Sequence, residues 1–177
     1  MKTRPAVFFD RDGVVNVPPP EEMRYLRRWE DFHFIDGMID VLAEVKAKGY
    51  PTVLITNQQG VGKELMSMNE LQAVHASMQA ALGEDGAAFD GIYTATGLTG
   101  DDLRRKPSPK MLEEAALEHD LDLSRSWMIG DHDNDMHAGE AAGTATIRVK
   151  GLKAITVSSD HQVEDAAALR RLLNDLL

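Results

Sequence analysis

The sequence predicts an α/β fold: a mainly parallel sheet with helices on both faces. Short, continuous apolar runs recur along the chain, and segments with helical periodicity separate them. Polar residues gather where the runs stop, as they do at ligand sites beyond the carboxyl ends of parallel strands.

Arg4 to Phe9 ends in the run AVFF, which reads as a buried strand. After a loop with Pro18, Pro19 and Pro20, Asp36 is expected to cap a helix carrying Ile39, Leu42 and Val45, with Gly49 as its stop. PTVLIT is the second strand. Ser67 and Glu70 form a capping-box pattern, and Leu71, Val74, Met78 and Leu82 continue it at helical spacing. A third strand is expected at Phe89 to Ala95. A loop then runs to Lys106, and Ser108 with Pro109 starts a helix reaching about His119. Ser126 to Ile129 is the fourth strand, followed by Gly130-Asp131, a helix from Asp133 to Ala142 stopped by Gly143, a strand at Thr144 to Val149 and a helix at Ala166 to Leu176. No repeat, low-complexity tract or linker divides the 177 residues, which are expected to form one domain.

The absence of cysteine excludes disulfides, thiol chemistry and cysteine-based zinc sites, and it suits a reducing compartment. Lys2 and Arg4 precede too short an apolar stretch for a secretion signal, and no run approaches membrane-spanning length, so a cytoplasmic protein is expected. A net charge of -10 argues against nucleic-acid partners, whose phosphates are bound by lysine and arginine. A small anionic substrate needs only a local gathering of cations. No feature indicates an oligomeric state.

Four segments deliver polar groups to one predicted sheet edge: Asp10 and Asp12, Thr56 and Asn57, Arg105 and Lys106, and Gly130 and Asp131. Two residues apart on extended chain, Asp10 and Asp12 would share a side while Arg11 points away. Carboxylates so placed need a cation or a shared proton, and either suits phosphoryl transfer. Thr56 and Asn57, followed by Gly60 and Gly62, either satisfy a turn or wrap an oxyanion. Asp131, Asp133 and Asp135 do not match a calcium loop, because the glycine and distal glutamate are not at the required offsets; Asp131 in a magnesium site fits better. The six histidines share no ligand spacing, and Arg27 with Arg28 read as a solvated pair.

In order, FFDRDGVVN, TNQQGVG, RKPSPKM and GDHDNDM resemble the motifs of the haloacid dehalogenase superfamily, in its histidinol-phosphate and heptose bisphosphate phosphatase branch, over nearly the whole length. The resemblance implies a Rossmann-like three-layer sandwich without a large cap domain. It implies a magnesium-dependent phosphatase acting on a small phosphorylated substrate, with a heptose bisphosphate first, histidinol phosphate or another small monoester next, and a polynucleotide 3′-phosphate last. In that scheme Asp10 is the nucleophile and Asp12 the general acid and base. Asp10, the Asp12 carbonyl and Asp131 hold magnesium; Thr56, Asn57 and Lys106 hold the phosphoryl group; Arg105 binds substrate; Asp135 supports the metal or the lysine. Family members often carry a Cys- and His-rich zinc loop, but YTATGLTGDDLRRKP has neither residue, so no zinc is expected. Further departures are Lys63-Glu64, Lys110 and the long Val17 to Trp29 loop.

Overall fold

A computed structural model describes residues Thr3–Leu177; Lys2 lies outside them. The strands are β1 (Val7–Phe9), β2 (Thr52–Asn57), β3 (Gly91–Ala95), β4 (Trp127–Gly130), β5 (Ala145–Val149) and β6 (His161–Val163). The helices are α1 (Met38–Ala47), α2 (Met68–Glu84), α3 (Lys110–Glu118), α4 (Asp133–Ala142) and α5 (Ala166–Leu176).

All pairings are parallel, and the strand order is β3-β2-β1-β4-β5-β6. One helix fills each connection from β1 to β5, and no large cap is inserted among the described residues.

Alternation along the strands explains why the apolar runs are continuous. Val7, Phe9, Leu54 and Ile129 pack with residues of α1, α2 and α5. Phe8, Val53, Ile55 and Met128 face the other way, onto Met111, Leu112 and Ala115 of α3 and Ala138 of α4. A strand buried on both faces has no polar register. The central β1 is correspondingly fully buried.

Most element limits agree with the sequence reading. The Ser67–Glu70 capping box is present, and α4 and α5 begin and end where expected. Three details differ. Asp36 does not cap α1, because Gly37 occupies the N-cap with φ 82, a turn that needs no side chain and favours glycine. Pro109 rather than Ser108 occupies the N-cap of α3, while Ser108 Oγ accepts the Lys110 N–H at 3.3 Å. Strand β6 was not expected from the sequence; HQV carries no apolar run and is only partly buried.

Candidate active site

The strand order reverses direction at β1, between β2 and β4, and a crevice opens beyond the carboxyl ends at such a point. A cavity of about 280 Å³ lies there, lined by Asp10, Asp12, Asn57, Arg105, Lys106 and Asp131, and also by Pro18, His132, Asn134, Asp135, Leu152 and Lys153. Asp10 prolongs β1, donating its N–H to Ile129 O at 2.9 Å.

Lys106 is the hub. Its side chain is 2% exposed, and Nζ reaches Asp10 Oδ1 at 2.7 Å, Asp135 Oδ1 at 2.6 Å and Ile55 O at 2.8 Å. Asn57 fixes the lysine's backbone: Asn57 Nδ2 donates to Lys106 O and Lys106 N–H donates to Asn57 Oδ1, both at 3.0 Å. The side chain expected to grip a phosphoryl group is therefore a clamp on Lys106. Asp135 meets the lysine directly, and its other oxygen accepts the His132 N–H at 3.1 Å.

Asp10, Asp131 and Asp135 offer oxygens within 4.8 Å of one another. Three carboxylates face one lysine. Burial first, then the neighbouring Asp135 and Asp131 charges, push Asp10 up to about 8 despite Lys106. Burial and Asp135 likewise raise Asp131 to about 6. Burial works against charged Lys106, but Asp10 and Asp135 raise its pKa above the ordinary value. Surplus negative charge on an all-oxygen donor set fits a hard divalent cation such as magnesium. Gly13 makes room for this cluster, because a Cβ there would lie 2.2 Å from Asp131 Oδ2.

Asp12 has different surroundings. Asn16 Nδ2 donates to Oδ1 and Gln58 Nε2 to Oδ2, each at 2.9 Å, and Arg11 Nη2 lies 3.2 Å from both oxygens. Burial raises its pKa, but Arg11 and these hydrogen bonds outweigh burial and hold it below the ordinary carboxylate value. Arg11 thus does not point away from Asp12. It folds back onto the carboxylate, 1% exposed, with Nη1 at 3.0 Å from His75 Nε2 on α2. The chain leaves extended geometry at once: the N–H groups of Val14, Val15 and Asn16 all turn back to Arg11 O.

Thr56 is buried and does not line the cavity; its Oγ1 accepts from Gln58 Nε2 at 2.9 Å. Arg105 lines the cavity, and its buried Nη1 has no partner. His132 Nδ1 accepts the Asn134 N–H at 3.1 Å, capping α4. Arg27 pairs with Glu70 and Arg28 with Asp31, away from the cavity. Sequence reasoning missed Gln58, Asn16, His75 and the second role of Arg11. The period of two along TNQ offered a signal for Gln58, since it shares a side with Thr56 and Asn57 does not.

The family model described as HAD-hydrolase-like matches residues 103–174. The chain is 35% identical to the D-glycero-beta-D-manno-heptose-1,7-bisphosphate 7-phosphatase of Photorhabdus laumondii, over 97% of this chain and 91% of the relative. It is 36% identical to the enzyme of that name from Pasteurella multocida, over 97% of each. Among solved structures, the D,D-heptose 1,7-bisphosphate phosphatase of B. bronchiseptica, complexed with magnesium and phosphate, superposes with a TM-score of 0.88 at 27% identity, covering 98% of this chain and 99% of that one.

Proposed function

Since the chain belongs to the haloacid dehalogenase-like phosphatases of the heptose bisphosphate type, we propose that it removes the 7-phosphate of D-glycero-D-manno-heptose 1,7-bisphosphate through an aspartyl-phosphate on Asp10. The observation that carries this is the Asp10–Lys106–Asp135 chain of contacts beside Asp131, at the base of a cavity at the sheet's switch point. The relatives' names supply the sugar.

Asp10 Oδ1 is held by Lys106, which leaves Oδ2 to attack phosphorus in line with the departing sugar oxygen. Lys106 then lies beside the transferred group, where its charge offsets the negative charge on the phosphoryl oxygens. Asn57 keeps the lysine's backbone from moving. Asp10 and Asp131, with the Asp12 carbonyl that the family resemblance implies, would hold magnesium, which would neutralise charge on the nucleophile and the phosphoryl group.

Asp12 protonates the leaving oxygen and afterwards takes a proton from the water that hydrolyses the acyl phosphate on Asp10. Its ionised resting state suits the second task. For the first it must gain a proton against Arg11, and an arriving phosphate dianion assists by like-charge repulsion. Gln58 and Asn16 keep the carboxylate aimed at the cavity.

The 177 residues act as one domain; magnesium rather than zinc is the metal, because all the donors are oxygens. The substrate is a small sugar phosphate, not nucleic acid, given the charge of -10. No helix of the described residues is long and apolar enough to cross a membrane, and with no cysteine present a cytoplasmic site of action is the simplest reading.

A panel of phosphate esters assayed with and without magnesium tests the proposal. The heptose bisphosphate should rank first, ahead of histidinol phosphate and 3′-phosphorylated oligonucleotides, and chelation should abolish turnover. Undiminished turnover in metal-free enzyme, or preference for either of the other esters, overturns it.

A further inference from the structure

Each of the three side chains that donate to Asp12 is itself held at a second point. Asn16 Nδ2, on Asp12 Oδ1, also donates to Val17 O at 2.9 Å, and Gln58 Nε2, on Asp12 Oδ2, also donates to Thr56 Oγ1 at 2.9 Å. Those two anchors are near neighbours in the chain. Arg11, the charged donor, takes its second hold from a distant element: Nη1 meets His75 Nε2 on α2 at 3.0 Å, 64 positions away. Among the described residues the Arg11 side chain has no further partner, and its Nε is buried without one. A guanidinium is a rigid planar fork, so Nη2 on Asp12 and Nη1 on His75 together fix its plane. Without His75, the contact with Asp12 alone would set it.

His75 is built for that task. It belongs to the buried face of α2 with Leu71, Val74 and Met78, and the helix starts at the Ser67–Glu70 capping box, whose Glu70 is paired with Arg27 of the long loop. The ring therefore rides on a packed, capped element. Arginine can only donate, so Nε2 must be the accepting nitrogen and the ring proton must sit on Nδ1. Burial, and then the Arg11 charge, hold His75 near 4, which keeps the ring neutral and Nε2 free to accept at neutral pH. His75 does not line the cavity, and it lies outside all four motifs that mark the site in the sequence.

We propose that His75 is a positioning residue for proton transfer: through Arg11 it aims the Asp12 carboxyl group at the leaving oxygen of the substrate. This rests on the phosphatase function above and adds a residue of α2 on which the acid step depends. As Asp10 takes the phosphoryl group, the bond from phosphorus to the sugar oxygen breaks and that oxygen leaves with the Asp12 proton; the water that then attacks phosphorus returns a proton to Asp12. His75 exchanges no proton in either step. It sets where the Asp12 oxygens stand, and a displacement of about 1 Å in a reacting group costs about a hundredfold in rate.

The test follows phosphoenzyme formation by rapid quench, with magnesium, on two esters: the heptose 1,7-bisphosphate, whose alkyl leaving group needs a proton, and 4-nitrophenyl phosphate, whose leaving group needs little. In His75→Gln the side-chain oxygen stands where Nε2 stood; in His75→Asn it stands where Nδ1 stood and falls short of Arg11. His75→Asn should slow phosphorylation by the heptose ester about tenfold to a hundredfold and by the aryl ester less than about threefold, in kcat rather than KM. His75→Gln should keep both rates near wild type. Arg11→Lys keeps the charge but loses the fork, so it should reproduce the His75→Asn pattern and serves as the test if His75→Asn does not fold. In an Asp12→Asn background His75→Asn should cost nothing further, because the group it aims is gone. Equal losses on both esters, no loss at all, a loss in His75→Gln as large as in His75→Asn, or a full further loss in the Asp12→Asn background overturns the positioning role. Absence of magnesium-dependent turnover of 4-nitrophenyl phosphate in wild type, or equal losses on the two esters in Asp12→Asn itself, instead overturns the phosphatase function or the part Asp12 has in it, and the His75 assignment with it.

Discussion

Asp10 and Asp12 are two residues apart on one loop, yet their surroundings drive them in opposite directions. Asp10 shares a single lysine with Asp135 and sits near Asp131, so it holds a proton up to about pH 8 until a cation arrives. Asp12 receives Arg11, Asn16 and Gln58, and stays ionised without help. Both are partly buried, and the larger difference lies in the count of opposing charges and donors. Divergent environments around paired carboxylates suit the roles proposed for them, the crowded one to take a metal and attack and the fully bonded one to handle protons.

The largest effect should come from removing the nucleophile. Asp10→Asn should lower turnover by about 10⁴-fold or more and abolish the phosphoenzyme, with the fold kept, as circular dichroism and acid-quench labelling can check. A trapped phosphoenzyme in that variant would place the nucleophile elsewhere and collapse the contrast. Asp12→Asn should be next, costing about 10²- to 10⁴-fold on sugar phosphates and much less on aryl phosphates, whose leaving groups need little protonation. Rapid quench with an aryl ester should show a burst and then slow release. Equal losses on both ester types, with no burst, would mean that Asp12 acts through metal or structure.

Magnesium should separate the pair by pH. Below about 8 the metal must displace the Asp10 proton, and below about 6 the Asp131 proton as well. Calorimetric Kd should therefore tighten as pH rises from 6 to 8, by up to about tenfold per unit for each proton released, and level off above. A flat profile would show that the carboxylates are ionised before metal binds. Asn57→Ala frees the Lys106 backbone and should lower kcat by about tenfold to a hundredfold through misplacement, with little change in KM.

The smallest effect belongs to the support of Asp12. His75 titrates near 6.5 in the unfolded chain and near 4 in the fold, lowered by burial and then by Arg11. The unfolded state binds more protons between those values, so stability is complete above 6.5 and falls as pH drops toward 4. The loss should be about 1 kcal/mol by pH 5.5. His75→Gln keeps an acceptor for Arg11 without titrating, and denaturant melts from pH 7 to 5.5 should show its slope flattened.

The same contrast explains what was legible in the sequence. Asp10, Lys106, Asp131 and Asp135 stand at strand ends or beside helix starts, and the alternation of apolar run and helix fixes where those ends are. Asn16 and His75 serve Asp12 through side-chain directions that no period encodes, whereas Gln58 follows the alternation of β2. Arg11 was assigned outward by strand geometry, but the strand stops at Phe9. Asn57 carries a second contact that its spacing did not reveal: it ends β2 and lines the cavity, and its amide also bonds the Lys106 backbone 49 positions away. Asp36 does not cap α1 because Gly37, in a left-handed conformation, takes the N-cap position.

The central position of β1 also bears on synthesis. Asp10 is synthesised before either strand that flanks its own, yet that strand is paired on one side by β4, and Ala6 N–H is bonded to Ser126 Oγ across 120 positions. Closing a loop of that length costs roughly 4 kcal/mol in chain entropy before any pairing repays it. Lys106 arrives late and Asp131 and Asp135 later still, so a nascent chain holds the nucleophile long before anything to activate it. The lysine and the carboxylates that surround Asp10 are thus gathered from segments far apart in the chain, and they meet only once β4 lies beside β1.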